Sequence, residues 1–447
     1  MHVLPQLRRL EERYPEELVV LGVHSAKFPP EREEESLRKA VIRYDIRHPV
    51  ANDRDLEVWR RYAVRAWPTL FLVDPQGLVL GKHEGEVTFE AFDRVIGRVV
   101  QEYDRRGLLR RGRIVWPLER EKEAAGRPVA FPGKVLADAA SGRLFIADSG
   151  HHRVLVATLD GEVRQVVGDG TPGLQDGALA SARFRTPQGM ALEGDLLYVA
   201  DTENHAVRRV DLAAGRVETV AGTGQMATAS MGAGPAREVP LRSPWDVAAA
   251  GGLVYLAMAG THQLWALDPR AGVIRPFAGS GHEGLRDGPR SQAWLAQPSG
   301  LAVGNGRLFF ADSETSAVRH VGLDDDGEVR TLVGIDLFDF GDVDGVGEEV
   351  RLQHPLGVAW ANGVLYVADT YNSKVKRLDP ETRECRTLFG DGGTGLRDGT
   401  GTEARLFEPG GLSAANGRLY VADTNNHVIR VAHLAAGRLE TLEVRGV

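Results

Sequence analysis

Six copies of one short pattern run through most of this chain, and this repetition limits the possible architectures more than any other feature. The copies read "LFIADSGHHRVLVATL" (144–159), "LYVADTENHAVRRVDL" (197–212), "VYLAMAGTHQLWALDP" (254–269), "LFFADSETSAVRHVGL" (308–323), "LYVADTYNSKVKRLDP" (365–380) and "LYVADTNNHVIRVAHL" (419–434). A proline precedes each copy at a near-constant spacing: Pro132, Pro187, Pro244, Pro298, Pro355 and Pro409.

Each copy predicts four short antiparallel strands. In the second copy the strands are "GMALEG", "LLYVAD", "AVRRVDL" and "VETVAG", separated by turn residues, and their β-branched and polar residues alternate. One four-stranded unit cannot bury both of its faces, whereas six units packed face to face around an axis can. Residues 128–447 are therefore predicted to form an all-β six-bladed propeller.

These residues resemble the NHL repeat, with its proline-x-glycine opening and "YVADT-x-N-H" core. The register of the copies also explains the single cysteine. "CRTLFG" (385–390) aligns with "VRQVVG", "VETVAG", "IRPFAG" and "VRTLVG", so Cys385 takes the place of a buried valine or isoleucine. We expect it to be a small core residue without redox chemistry.

Residues 1–110 have a different texture, in which helical and strand patterns alternate as α-β-α-(β)-α-β-β-α. "LPQLRRLEERYP" reads as an amphipathic helix, "ELVVLGVHS" as a buried strand and "AWPTLFLVD" as a second strand. The final helix, "TFEAFDRVIGRVVQEYDRRG", has Thr88 as its expected N-cap. The predicted domains are therefore 1–110, a linker at 111–127 and the propeller at 128–447.

The first domain resembles the thioredoxin-like redoxin group in its "HPVAND" and "WPT" segments. That group has a further core strand, lying between the two apolar strands above and running into a Cys-x-x-Cys pair. No such strand or pair is present here, so the α/β domain is expected to be incomplete at its start. Three explanations remain open: the true start lies upstream, the domain is truly truncated, or another chain or segment supplies the strand.

The combination of thioredoxin-like domain, short linker and six NHL repeats resembles the family of NHL-repeat-containing protein 2 and its bacterial relatives. The animal members carry a β-rich stalk after the propeller; the sequence ends at "ETLEVRGV", so a stalk is not expected and stalk functions are not carried over. The resemblance implies a thiol–disulfide oxidoreductase whose cysteine pair is encoded just upstream of Met1 and whose propeller faces bind client proteins. Two alternatives are a non-enzymatic interaction scaffold with a redox-inactive first domain, and a hydrolase or lyase with a metal on the propeller axis.

The resemblance also assigns the substrate loop. In thioredoxins the proline of the "WPT" type is cis, and the backbone of its loop pairs with extended substrates. Trp67, Pro68 and Thr69 carry that role here. No catalytic residue is expected within the chain as given.

The repeated polar residues of the propeller are expected to be structural. Aspartates that follow strands commonly fix turns by accepting backbone N–H groups. Five copies carry one, and Met258 replaces the sixth: Asp148, Asp201, Asp312, Asp369 and Asp423. The histidines of the next turn are spread around the ring, which argues against a metal site: His152, His205, His262 and His427.

The connectors between copies contain "GLQDG" (173–177), "GLRDG" (284–288), "DVDG" (342–345) and "GLRDG" (395–399), which read as glycine-rich turns. "DVDGVG" faintly resembles a calcium loop, but Gln353 stands where the twelfth-position glutamate belongs. The connector at 222–236 departs from this pattern and is a candidate contact loop.

Composition excludes several function classes. A net charge of −8 argues against general binding to nucleic acid or anionic membranes, and "RRGLLRRGR" (105–113) reads as a solvated linker. No run approaches the ~18–20 apolar residues of a membrane span, and the N-terminus has no signal-peptide pattern. The expectation is a cytoplasmic protein with protein partners and no cofactor or metal.

Overall fold

A computed structural model describes residues 3–119, 126–228, 231–324 and 327–447. The chain divides into two compact units, Met1–Ala125 and Gly126–Val447. The predicted linker at 111–127 lies partly outside the described residues. Residues 111–119 of this linker belong to the first unit, where Arg111 pairs with Glu17 at 3.0 Å and with Asp104 at 2.6 Å.

The described part of the first unit contains four α-helices, four strands and a short 3-10 helix at Pro29–Arg32. The α-helices and strands are α1 (Val3–Arg13), β1 (Gly22–His24), α2 (Glu34–Arg43), β2 (Val50–Asn52), α3 (Glu57–Arg61), β3 (Thr69–Val73), β4 (Val79–Glu84) and α4 (Phe89–Arg105). Thr88 caps α4 by accepting the N–H of Ala91. β1 pairs with β2 in parallel, and β3 pairs with β4 antiparallel.

The prediction of a buried strand at "ELVVLGVHS" was wrong in length and burial. Only Gly22–His24 is a strand, and Val19, Leu21 and Val23 are 46%, 67% and 46% exposed. The reason is in the sheet order: among the described residues, β1–β2 and β3–β4 form two separate two-stranded sheets. An apolar strand that has no neighbour on one edge leaves its side chains and backbone groups open to water.

The second unit is a six-bladed β-propeller. Blade 1 contains β5 (Val135–Asp138), β6 (Arg143–Asp148), β7 (Arg153–Thr158) and β8 (Val163–Val167). Blade 2 contains β9 (Gly177–Ala178), β10 (Pro187–Glu193), β11 (Leu196–Asp201), β12 (Ala206–Asp211) and β13 (Arg216–Ala221). Blade 3 contains β14 (Gly234–Pro235), β15 (Pro244–Ala250), β16 (Leu253–Met258), β17 (Gln263–Asp268) and β18 (Val273–Ala278).

The remaining blades repeat this order. Blade 4 contains β19 (Gly288–Pro289), β20 (Pro298–Gly304), β21 (Arg307–Asp312), β22 (Ala317–Gly322) and β23 (Glu328–Val333). Blade 5 contains β24 (Gly345–Val346), β25 (Gly357–Ala361), β26 (Val364–Asp369), β27 (Lys374–Leu378) and β28 (Glu384–Phe389). Blade 6 contains β29 (Gly399–Thr400), β30 (Pro409–Ala415), β31 (Arg418–Asp423), β32 (Val428–His433) and β33 (Arg438–Leu442).

Four strands of each blade are antiparallel neighbours, as the sequence predicts. In blades 2–6 the short first strand, which comes from the connector, pairs with the outermost strand as a fifth member. In blade 1 the C-terminal segment takes this place, because Val163 N–H donates to the Arg445 carbonyl at 2.9 Å. The two ends of the propeller are thereby joined by backbone hydrogen bonds, since Arg445 N–H also donates to the Gly161 carbonyl at 3.0 Å.

The apolar core of the propeller lies in the seams between adjacent blades. Blades 1 and 2 share one cluster around Phe145, Phe184 and Val199, and blades 6 and 1 share another around Ile146, Tyr420 and Ile429. Each fully buried side chain of this size contributes about 1.5–3 kcal/mol relative to its exposed state. Burial therefore favours a closed ring, in which each blade has two neighbours.

Candidate functional site

The loop predicted to face substrate joins α3 to β3 in the first unit. The Trp67–Pro68 peptide bond is cis. The Trp67 indole N–H donates to the Ser25 carbonyl at 2.7 Å, and the Thr69 hydroxyl donates to the Ala66 carbonyl at 2.7 Å. These bonds hold the loop beside the end of β1. The assignment of Trp67, Pro68 and Thr69 as a substrate loop stays a prediction.

Asp53, which sequence reasoning missed, organises this region. Its buried carboxylate accepts the Ser25 hydroxyl at 2.8 Å and the N–H groups of Val58 and Trp59 at 2.9 Å each. Burial alone would raise its pKa, but these donors outweigh it and leave the pKa below the ordinary value. The available signal was an aspartate in "HPVAND" shortly before a helix, where a carboxylate satisfies the first N–H groups.

Two pairs of aromatic side chains lie in and next to this loop. The rings of Trp59 and Trp67 have centroids 4.4 Å apart, and the Tyr62 ring meets the Phe71 ring edge-on at 5.0 Å. Trp67 remains 48% exposed and Tyr62 45% exposed. We call these four residues the aromatic patch. Exposed aromatic clusters are typical of protein-binding surfaces.

The repeated aspartates of the propeller form a buried hydrogen-bond network. In all five, one carboxylate oxygen accepts at 2.7 Å a backbone N–H from the segment that leads into the innermost strand. The aspartates are completely buried: Asp148, Asp201, Asp312, Asp369 and Asp423. Their contacts fix turns inside the blades.

The second oxygen of each aspartate pairs with a cation, which sequence reasoning did not identify. In four blades the cation lies seven residues later and is buried: Arg208, Arg319, Lys376 and Arg430. Each cation also pairs with a connector aspartate: Asp176, Asp287, Asp344 and Asp398. In these four blades the connector is therefore held to the sheet by an ion pair between its aspartate and the buried cation. In blade 5 the connector "DVDGVG" makes further ion pairs, because Asp342 pairs with Lys374 and Lys376.

Burial dominates the electrostatics of this network. It raises the pKa of Asp201, Asp369 and Asp423 to about 6, although the neighbouring cations lower it. Because a pKa of about 6 lies below 7, these carboxyls are still mostly ionised at neutral pH. The cations and the N–H donors stabilise that charge. Blade 3 lacks the network altogether, because Met258 and Trp265 stand at the aspartate and cation positions.

The connector before blade 3, at 222–236, was predicted to be a contact loop, and residues 229–230 of it lie outside the described residues.

The four repeat histidines lie in four different seams. Each ring Nδ1 accepts a backbone N–H of the next blade, at 3.1–3.3 Å: His152 from Thr186, His205 from Ser243, His262 from Gln297 and His427 from Phe131. Ser316 and Ser373 accept equivalent bonds in the other two seams. Within the described ranges, no three His, Cys, Asp or Glu side chains converge as a metal site would require.

The propeller axis is occupied by an ion pair that crosses it. The Lys134 ammonium, from blade 1, lies 3.6 Å from the Asp246 carboxylate of blade 3 and donates to the Leu356 carbonyl of blade 5. Burial lowers the pKa of Lys134 and raises that of Asp246, since both charges are removed from water. Glycines at the equivalent positions Gly189 and Gly411 make room for this pair.

Cys385 is fully buried in the seam between blades 4 and 5. Burial raises the pKa of its thiol to about 12, so the thiol is not a nucleophile at neutral pH. The one cysteine of the chain is therefore a buried packing residue, as the alignment of the repeats predicts.

No helix among the described residues is long and apolar enough to cross a membrane.

Comparisons with known proteins match both units. A model of the NHL repeat matches residues 184–209. The chain is 42% identical over 480 residues to NHL repeat-containing protein 2 of Homo sapiens, covering 99% of this chain and 66% of that protein. It is 43% identical over 469 residues to "Protein SUPPRESSOR OF QUENCHING 1, chloroplastic" of Arabidopsis thaliana, covering 100% of this chain and 44% of that protein.

A more distant similarity concerns a redox protein. Over 96 residues, the chain is 28% identical to "Thiol-disulfide oxidoreductase ResA" of Bacillus cereus, covering 22% of this chain and 53% of that protein. The chain thus spans just under two thirds of the human relative and less than half of the plant relative.

Proposed function

Because the chain belongs to the NHL repeat-containing protein 2 family, we propose that it is a thiol–disulfide oxidoreductase-type protein whose propeller binds client or partner proteins. The thioredoxin-like first domain supplies the redox half and the propeller faces supply recognition. Support for the redox half comes from the similarity to the ResA oxidoreductase. Support for recognition comes from the NHL repeats. Their buried polar residues stabilise the blades, so the loops on the two faces of the propeller are available to bind partner proteins.

The observation that carries the redox half is the geometry around the loop Trp67–Thr69. Thr69–Val73 pairs with β4 along one edge, and among the described residues its other edge has no strand partner. In the redoxin group this edge pairs with the core strand that leads into the cysteine pair, so the open edge fits a strand supplied from outside these 447 residues. The loop and the aromatic patch stand at the start of β3. The loop would then lie beside the cysteine pair, where an extended polypeptide is held while its disulfide is attacked.

The thiol chemistry needs a cysteine pair, and the proposal assigns that pair to sequence outside these 447 residues. One thiolate attacks a disulfide sulfur of the client, and a sulfur–sulfur bond forms as the client's second sulfur leaves as a thiolate. The partner cysteine then attacks the mixed disulfide and releases the reduced client, which leaves the pair oxidised. An external dithiol reductant returns it to the reduced state.

A second candidate function is a binding scaffold without redox activity. The observation that favours it is Cys385, the chain's one thiol, which burial makes unreactive. In this alternative the first domain presents only its binding surface. Both candidates place partner proteins on the propeller, and they differ in whether a disulfide is turned over.

Insulin disulfide reduction separates the two candidates. The protein purified from its native source would be assayed with dithiothreitol as reductant, and the recombinant 447-residue chain would serve as the matched control. We expect the native protein to accelerate insulin precipitation and the control to match the uncatalysed rate. Equal rates for both proteins would discard the oxidoreductase and leave the scaffold.

A further inference from the structure

We infer that Asp53 is a positioning residue for the substrate loop Trp67–Thr69 and that Ser25 connects the two. This inference rests on the proposed function, because it assigns the residue that keeps the loop in place for the client. It follows from three features of the described residues: the gap between the two small sheets, the contacts of one buried carboxylate and the exposure of the side chain that is held.

The substrate loop and Ser25 belong to different sheets. The loop leads into β3, and Ser25 directly follows β1. Among residues 3–119, β1–β2 and β3–β4 are two separate sheets. Because no backbone ladder in that range joins β1 to β3, side-chain hydrogen bonds link the loop directly to the end of β1.

Asp53 lies at the centre of these bonds. Its carboxylate accepts the Ser25 hydroxyl at 2.8 Å, and the Ser25 carbonyl accepts the Trp67 indole N–H at 2.7 Å. The same carboxylate accepts the Trp59 N–H at 2.9 Å, and the Trp59 and Trp67 rings have centroids 4.4 Å apart. Two routes therefore lead from Asp53 to Trp67, one through hydrogen bonds and one through ring contact.

The side chain that is held is not a core residue. Asp53 is 6% exposed, whereas Trp67 is 48% exposed. Fixing a half-exposed indole costs side-chain entropy that burial offsets only in part. A group that is fixed before binding loses less entropy when a partner arrives. The arrangement therefore favours binding at the loop, rather than core packing, as the role of the Trp67 contacts.

Circular dichroism of the 447-residue chain tests the positioning. Two indoles in contact at a fixed angle, here 35° between the ring planes, give a coupled band in the far ultraviolet. Subtracting the spectrum of Trp67→Phe isolates this band. Asp53→Asn keeps the side-chain volume but turns one acceptor oxygen into an NH2 donor that faces a backbone N–H, so we expect the band to fall about twofold or more. Ser25→Ala should lower it less, because the contact through Trp59 remains.

The matched control is Asp74→Asn at the other end of β3. Asp74 is also 6% exposed, and its carboxylate accepts the Tyr103 hydroxyl at 2.6 Å and two backbone N–H groups at 2.8 Å. This variant should lower the thermal stability of the first unit but leave the band intact. An unchanged band in Asp53→Asn would overturn the inference. An equal loss in both variants would also overturn it, since that result means a general loosening of the unit.

Insulin reduction by the protein expressed from its native gene connects the positioning to the reaction. We expect Asp53→Asn to raise KM about tenfold with a smaller change in kcat, because the loop holds the client and transfers no electrons. A KM that stays unchanged in a variant without the band would overturn the role of Asp53 in holding the client. If the unchanged protein does not reduce insulin, the proposed oxidoreductase is wrong, and the band alone still decides whether Asp53 fixes the loop.

Discussion

At the scale of single residues, burial decides which polar side chains can do chemistry. Cys385 and His320 both lie in the seam between blades 4 and 5, and burial favours the neutral form of each. The alignment of repeats predicted the burial of Cys385 from sequence, because its neighbours in register are valines and isoleucine. It gave no such guide for Asp53, whose importance depends on donors from two separate segments, Ser25 and the first turn of α3.

Cys385 is expected to resist alkylation in the folded protein. A thiol with a pKa of about 12 has roughly a thousandth of the thiolate of an ordinary cysteine at pH 8, and the side chain is also inaccessible. Iodoacetamide treatment followed by intact mass should show no adduct in buffer and one adduct in guanidinium chloride. Rapid labelling in buffer would contradict the seam packing.

His320 is expected to make the propeller sensitive to acid. Burial, assisted by Arg307 and Arg330, lowers its pKa to about 4, whereas an unfolded histidine titrates near 6.5. Between these values the unfolded chain takes up a proton that the native state refuses, so stability falls as the pH drops below 6.5. His320→Gln should therefore lose less Tm between pH 7 and pH 5 than the unchanged protein. The exposed His282→Gln is the control, and equal losses in all three would count against this reading.

At the scale of elements, the blades share one arrangement of strands but carry different side chains at the same buried positions. Four blades hold a buried aspartate–cation pair tied to a connector aspartate, and blade 3 holds Met258 and Trp265 at those positions. A buried ion pair costs desolvation that an apolar pair avoids, so both solutions are compatible with a stable blade. The sequence predicted the strands of each blade well, because their alternation is local. It could not predict the network, because the connector aspartates lie about 32 residues before their cations.

Removing one partner of a buried pair is expected to cost far more than replacing both. Arg208→Met leaves Asp201 buried without its main counter-charge, which should destabilise the propeller by about 3–5 kcal/mol. The double variant Asp201→Met/Arg208→Trp copies blade 3 and should recover most of that loss. Guanidinium unfolding of both variants and the parent gives the comparison. A double variant less stable than Arg208→Met would show that blade 2 cannot accept the apolar solution.

At the scale of the whole molecule, the repeats predict a ring but leave its closure unspecified. The seam between blades 6 and 1 has no covalent connection through a neighbouring linker, and the structure joins it by repeating the seam bonds. The Thr424 hydroxyl donates to the Pro132 carbonyl at 2.8 Å, and His427 accepts the Phe131 N–H at 3.2 Å. In the first unit the exposure of Leu21 and its neighbours was missed, because the run of apolar residues predicted a longer and buried strand.

The closing seam is expected to be more sensitive than an internal one. Thr424→Val/His427→Leu removes two hydrogen bonds between blades 6 and 1, and Thr202→Val/His205→Leu removes the equivalent two between blades 2 and 3. Each lost bond costs about 1 kcal/mol, but the connector still holds blades 2 and 3 together. Hydrogen exchange should therefore accelerate at β8 and β33 in the first variant, with a smaller and more local change in the second. Equal acceleration in both would mean that closure carries no special weight.

The most direct test of the proposed thiol chemistry is the intact mass of the protein from its native source, measured before and after alkylation of reduced thiols under denaturing conditions. The account predicts a chain heavier than 48.6 kDa that carries at least two alkylatable thiols in addition to Cys385. A mass of 48.6 kDa with one alkylatable thiol would contradict the oxidoreductase and leave a binding propeller with a redox-inactive first domain.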